Sequence, residues 1–81
     1  MTLKEFAKGK DLLSSYIRDL EEASIKVKKR EDFIDSLVKQ GDRNEAISNY
    51  LWGAMETGAI TKEEMDTMHE ELMQIEKGTN V

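Results

Sequence analysis

His69 is the single imidazole of the chain, and Asp66 stands three residues before it. On a helix that spacing puts a carboxylate and an imidazole one turn apart, half of the arrangement that helical di-metal proteins build from two such pairs and further carboxylates. This chain supplies one pair, so a second copy would have to complete the site. The plainer reading is a boundary histidine covering the edge of a seam that contains Met68 and Leu72. On that reading His69 is no metal ligand, and no cofactor is assigned. Cysteine is absent, which removes thiolate nucleophiles, disulfides and thiolate metal sites. There is no glycine-rich phosphate loop, and no nucleophile, base and orienting group can be assembled. Seventeen acidic residues offer carboxylates in abundance, but no pair is set apart by spacing or an apolar setting for acid–base work. The residue types therefore point away from an enzyme and assign no catalytic residue.

Two other groups could act by binding. Lys26, Lys28, Lys29 and Arg30 form the one basic run, suited to phosphate or nucleic-acid contact. Glu22, Glu31 and Asp32 lie close enough in sequence to neutralise it, and no aromatic residue interleaves for base stacking. The alternative for this run is a solvated stretch of helix. Tyr50 and Trp52 are two residues apart and cannot both point inward with Ile47 and Leu51, so one belongs at the surface or an interface. Met55 and Met68, with the other methionines, are adaptable packing residues that suit either an irregular core or a partner surface. Tyr50, Trp52, Met55 and Met68 are taken as candidate partner-binding residues.

The elements that would position these groups are helical. Proline is absent, so no residue interrupts a helix by lacking its amide hydrogen. Three capping boxes, Thr2 with Glu5, Asp42 with Glu45 and Thr61 with Glu64, mark helix starts. Gly41 and Gly58 punctuate the ends before the second and third. The sequence thus predicts a long helix over about 2–40, a second over about 43–57 and a third over about 61–77, with residues 78–81 frayed. Every seventh residue from Phe6 is large and apolar: Phe6, Leu13, Leu20, Val27, Ile34. With the companion column Gly9, Tyr16, Ala23, Arg30, Leu37 it makes a coiled-coil-like seam. In the third helix Met65, Met68, Leu72 and Ile75 step by three and four residues, as a seam requires. The turn Gly58-Ala59-Ile60-Thr61-Lys62-Glu63-Glu64 resembles the Gly-x-Ile-Thr-x-Glu-Glu turn of many small bacterial helical hairpins. The resemblance covers seven residues, implies a hairpin with Ile60 between its helices, and carries no function.

The expected fold is all-α, one domain of 81 residues, with a long N-terminal helix followed by an acidic two-helix hairpin. Residues 1–40 carry nine basic and eight acidic side chains, and residues 41–81 carry three and nine. A straight helix over 2–40 would leave much of its seam uncovered by so short a hairpin. That predicts a homodimer through Phe6, Leu13, Tyr16, Leu20, Val27 and Ile34. No apolar stretch is long enough to span a membrane, and no signal peptide is visible, so a cytoplasmic protein is expected. The leading functional expectation is a non-enzymatic regulator or adaptor that homodimerises and docks on a larger protein, with inhibition of that protein as one outcome. The alternatives are a coiled-coil scaffold or assembly factor, and a nucleic-acid or nucleoprotein binder through Lys26–Arg30.

Overall fold

The computed structural model describes residues 1–78. It contains α1 (Leu3–Ala7), α2 (Asp11–Lys29), α3 (Phe33–Glu56) and α4 (Lys62–Lys77), with no strand among the described residues. The fold is all-α. No helix is long and apolar enough to cross a membrane, among those described.

Two capping boxes start helices where the sequence predicts. Thr2 Oγ1 accepts the Glu5 amide at 3.1 Å, and Glu5 Oε1 accepts the Thr2 amide at 3.3 Å. Thr61 and Glu64 exchange the same two bonds at 3.1 Å each. Asp42 and Glu45 start nothing. They lie inside α3, which begins at Phe33 and not at 43. Gly41 passes through the same helix without ending it. At Gly58 the expectation holds: it takes φ +82° after α3 ends, and Ile60 is buried behind it.

The single helix expected over 2–40 is broken twice. A rod of that length would measure roughly 55–60 Å, whereas the molecule's longest dimension is 39 Å. Folding back gives the apolar column something to pack on. The first break uses Gly9, at φ +82°, a conformation glycine adopts without side-chain strain. The Ala7 carbonyl is recovered by the Lys10 amide and the Ser14 hydroxyl, both at 2.9 Å. Lys10 Nζ donates to the Phe6 carbonyl at 2.8 Å. Helix α1 thereby buries Leu3, Phe6 and Ala7, and the Leu3 amide donates to Glu71 Oε2 on α4 at 3.0 Å.

The second break carries no glycine. Arg30 and Asp32 both adopt positive φ, +60° and +45°. The Arg30 amide donates to the Val27 carbonyl at 3.1 Å and the Glu31 amide to Lys26 at 2.9 Å, the paired bonds of a Schellman termination. The reward is the α2–α3 hairpin, the most extensive helix pairing in the molecule. Leu13 and Leu20 from α2, Ile47 and Leu51 from α3, and Met68 and Leu72 from α4 are fully buried together.

A polar junction fixes how α4 sits on this hairpin. Gln40 is buried, and its side-chain amide donates to Ser24 Oγ on α2 at 3.1 Å and to the Glu76 carbonyl on α4 at 2.6 Å. Ser24 in turn donates to the Leu20 carbonyl at 2.8 Å. One turn along α3, Asn44 Nδ2 donates to the Glu76 carboxylate, and Arg43 pairs with Asp19 at 3.2 Å while lying over the Tyr16 ring. Gly78, at φ +70°, ends α4 and is buried, with the Ser24 carbonyl and the Lys28 side chain about a Cβ contact away. Gly78 is thus a packed cap and not the start of a frayed tail; residues 79–81 lie outside the described residues.

Two substitutions test this account. Gln40→Ala removes both donated bonds and leaves a void, and should lower the unfolding free energy by about 1–3 kcal/mol. Amide exchange should show the last turn of α4 loosening first. Gly41→Ala places a methyl group where no atom stands within 4 Å. It should raise stability by about 1 kcal/mol through helix propensity, read as a higher urea midpoint at unchanged m-value.

Candidate functional site

The lengths of α3 and α4 leave part of α3 bare. Twenty-four residues of α3 and sixteen of α4 correspond to about 36 and 24 Å. The C-terminal end of α4 is tied to α3 at Gln40 and Asn44, and α3 continues from there back to Phe33 with no part of α4 tied to it. At about 100° per residue, Phe33 and Leu37 fall within about 40° of Asn44 and Leu51 around the helix. Asn44 bonds to α4, and Leu51 packs in the core that α4 closes. The stripe that α4 covers therefore continues past the end of α4. On it and beside it stand Phe33 (43% exposed), Leu37 (40%), Ile34 (70%) and Val38 (60%). Single exposed apolar residues are ordinary, but a contiguous group is informative.

The end of the hairpin also carries a surplus of positive charge. Lys26, Lys28, Lys29 and Arg30 are all exposed at the end of α2. Lys28 lies on the α4 side, beside Gly78. Lys26 lies on the other, bordering a shallow cleft with Glu22, Asp32, Asp35 and Lys39. Residues 25–39 carry five basic and three acidic side chains, net +2, and the remaining residues seven and fourteen, net −7. A locally basic end thus sits on an acidic molecule.

The residues expected to form a dimer seam are divided by the two breaks. Phe6, Leu13 and Leu20 are buried in the protomer's own core. Tyr16 and Val27 are half-buried, and Ile34 is exposed on another helix. One continuous seam of these six does not exist, because the turn at 30–32 separates Ile34 from the rest. Among the expected partner-binding residues, Met68 is fully buried and Met55 packs half-buried against the core. These two methionines fill the interior, since α4 presents its seam to α2 and α3. Trp52 is 54% exposed and borders a shallow cleft with Ser48, Met65, Asp66 and His69. Tyr50 is partly exposed and meets Phe6 edge-on at 6.3 Å between ring centroids. Of the pair, Trp52 is the more exposed.

Phe33 and Val38 were not legible as site residues from the heptad count, which sampled only Ile34 and Leu37. The usable signal was the grouping Phe33, Ile34, Leu37, Val38. Its i, i+1, i+4, i+5 spacing is a stripe too wide for one seam. Among the described residues, no group of three or more His, Asp or Glu side chains converges as a metal site would need.

Compared with protein-family models, curated proteins and solved structures, the chain gives no match.

The contrast between Trp52 and its neighbour is measurable. Leu51→Ala should cost about 2–5 kcal/mol, as for a filled core position. Trp52→Ala should cost about 1 kcal/mol or less. Equal losses in denaturant titration would mean that Trp52 is a core anchor.

Proposed function

We propose that this protein is a non-enzymatic regulator or adaptor that docks on a larger protein through the exposed face of α3. The observation that carries the reading is the quartet Phe33, Ile34, Leu37 and Val38, large apolar side chains left in solvent while the core of the same small domain is otherwise closed. Apolar groups grouped in this way are what a partner surface desolvates on binding. Trp52, also exposed, lies on nearly the same side of α3 as Ile34, about 27 Å further along. A long partner surface could engage both. The absence of cysteine and the single histidine support a binding role over a catalytic one. Inhibition of the partner remains part of the proposal as the simplest effect of covering its surface. A cytoplasmic setting is part of the same proposal. Self-association enters only through the α3 quartet, because Phe6, Leu13 and Leu20 are enclosed in the protomer.

A second reading has one observation in its favour. Lys26, Lys28, Lys29 and Arg30 share the hairpin end with Phe33, which supplies beside the basic run an aromatic ring that the run itself lacks. Single-stranded nucleic acid is bound by that combination.

The adaptor reading is tested by affinity capture from the native host, followed by reconstitution with the captured protein. A stoichiometric partner should be retained by the wild-type chain and lost by Ile34→Asp/Val38→Asp, with helicity and melting temperature unchanged. Retention by both would remove the α3 face from the interface. A salt-dependent gel shift abolished by neutralising Lys26, Lys28, Lys29 and Arg30 would favour nucleic acid instead.

A further inference from the structure

Resting on the adaptor reading, we infer that the uncovered strip takes an acidic amphipathic helix of the partner, seated as a continuation of α4. The strip has the form that a helix requires. On α3, Phe33 and Leu37 extend the stripe that α4 occupies further along, and Ile34 and Val38 widen it on one flank. On α2 Val27 is half-buried, and the Lys28 side chain lies beside Gly78, where α4 ends. Recognition of an amphipathic helix in a groove uses apolar anchors at i, i+3, i+4 and i+7 with charges at the edges. The occupant already present on the upper part of the hairpin has that character. Residues 62–77 carry six acidic and two basic side chains and bury Met65, Met68 and Leu72.

Charge selects the sign of the partner. Lys28, Lys29 and Arg30 precede the strip in a segment that also carries Glu31, Asp32 and Asp35 and keeps a net charge of +2. An acidic flank is therefore attracted and a basic one repelled.

The same facts weigh against a second copy. Tip-to-tip pairing would bring two segments of net +2 together. The chain's own acidic helix α4 has its apolar stripe enclosed in its own core.

The test uses the full chain and two synthetic helical peptides sharing one apolar face, one flanked by Glu and the other by Lys. Titration calorimetry should show the Glu peptide binding at least about tenfold more tightly than the Lys peptide. Raising salt should weaken it, since edge charges are screened over about 10 Å at 0.1 M. Ile34→Asp, at a position too exposed to unfold the domain, should abolish binding, with circular dichroism confirming helicity. Lys28→Glu/Lys29→Glu should reverse the preference between the peptides. Equal binding of both peptides, no binding of the Glu peptide, or indifference to Ile34→Asp would overturn the inference. So would a dimer by light scattering that Ile34→Asp dissolves, or binding to phosphatidylserine vesicles that the same change abolishes. If the Glu peptide fails while a reconstituted partner still depends on Ile34 and Val38, the acidic-helix inference falls and the adaptor reading stands. If neither depends on those residues, both fall.

Discussion

The side-chain amide of Gln40 spends both of its hydrogens on two different helices, and the arrangement of the molecule follows from where it does so. One bond goes to Ser24 on α2 and the other to the Glu76 carbonyl in the last turn of α4. A buried amide left with an unused hydrogen would cost on the order of 1–3 kcal/mol, so sliding α4 along the hairpin is penalised at this point. The Asn44–Glu76 bond reinforces the same register. The Leu3–Glu71 bond ties α1 to α4. Among the described residues no buried side-chain nitrogen or oxygen lacks a partner, which is the condition under which a polar junction specifies one packing.

The apolar interior explains why the chain accepts an uncomfortable turn. Arg30 and Asp32 in the left-handed region cost on the order of 1–2 kcal/mol each. A fully buried leucine or isoleucine contributes about 1.5–3 kcal/mol, and Leu13, Leu20, Ile47 and Leu51 all depend on the hairpin that this turn closes. Burial outweighs the strain. Helix α1 adds Leu3, Phe6 and Ala7 to the interior, with Leu3 bonded to Glu71 on α4 and Lys4 paired with Glu21 on α2.

The proposed docking face lies at the turn end of the α2–α3 hairpin. With the last turn of α4 pinned at Gln40, the first two turns of α3 have hairpin behind them and solvent in front. The same end carries the basic run, while the acidic surplus resides elsewhere in the chain. An apolar strip beside a surplus of one sign of charge favours partners of the opposite sign. A small domain can do this without a pocket or a reactive side chain.

Local chemistry was readable directly. The all-α class, the starts of α1 and α4 at Thr2 and Thr61, the turn at Gly58 with Ile60 beneath it, and the conflict between Tyr50 and Trp52 all depend on interactions within a few residues. Capping and helix propensity act at that range. The heptad column was partly sound, since Phe6, Leu13 and Leu20 are buried, but it took their apolar character as a surface for another copy. Which helix covers them is decided by the turn at Arg30–Asp32, and no glycine or proline announces that turn. The paired glycine and capping signals at Gly41–Glu45 suggested a boundary where α3 runs straight through, because packing on α2 outweighs a mid-helix glycine. The sequence by itself determined that the chain is helical and which apolar, aromatic and basic side chains it offers. Tertiary structure alone decided which of them remain exposed, because exposure depends on how far a returning helix reaches, and α4 stops at Gln40 with Phe33, Ile34, Leu37 and Val38 still uncovered.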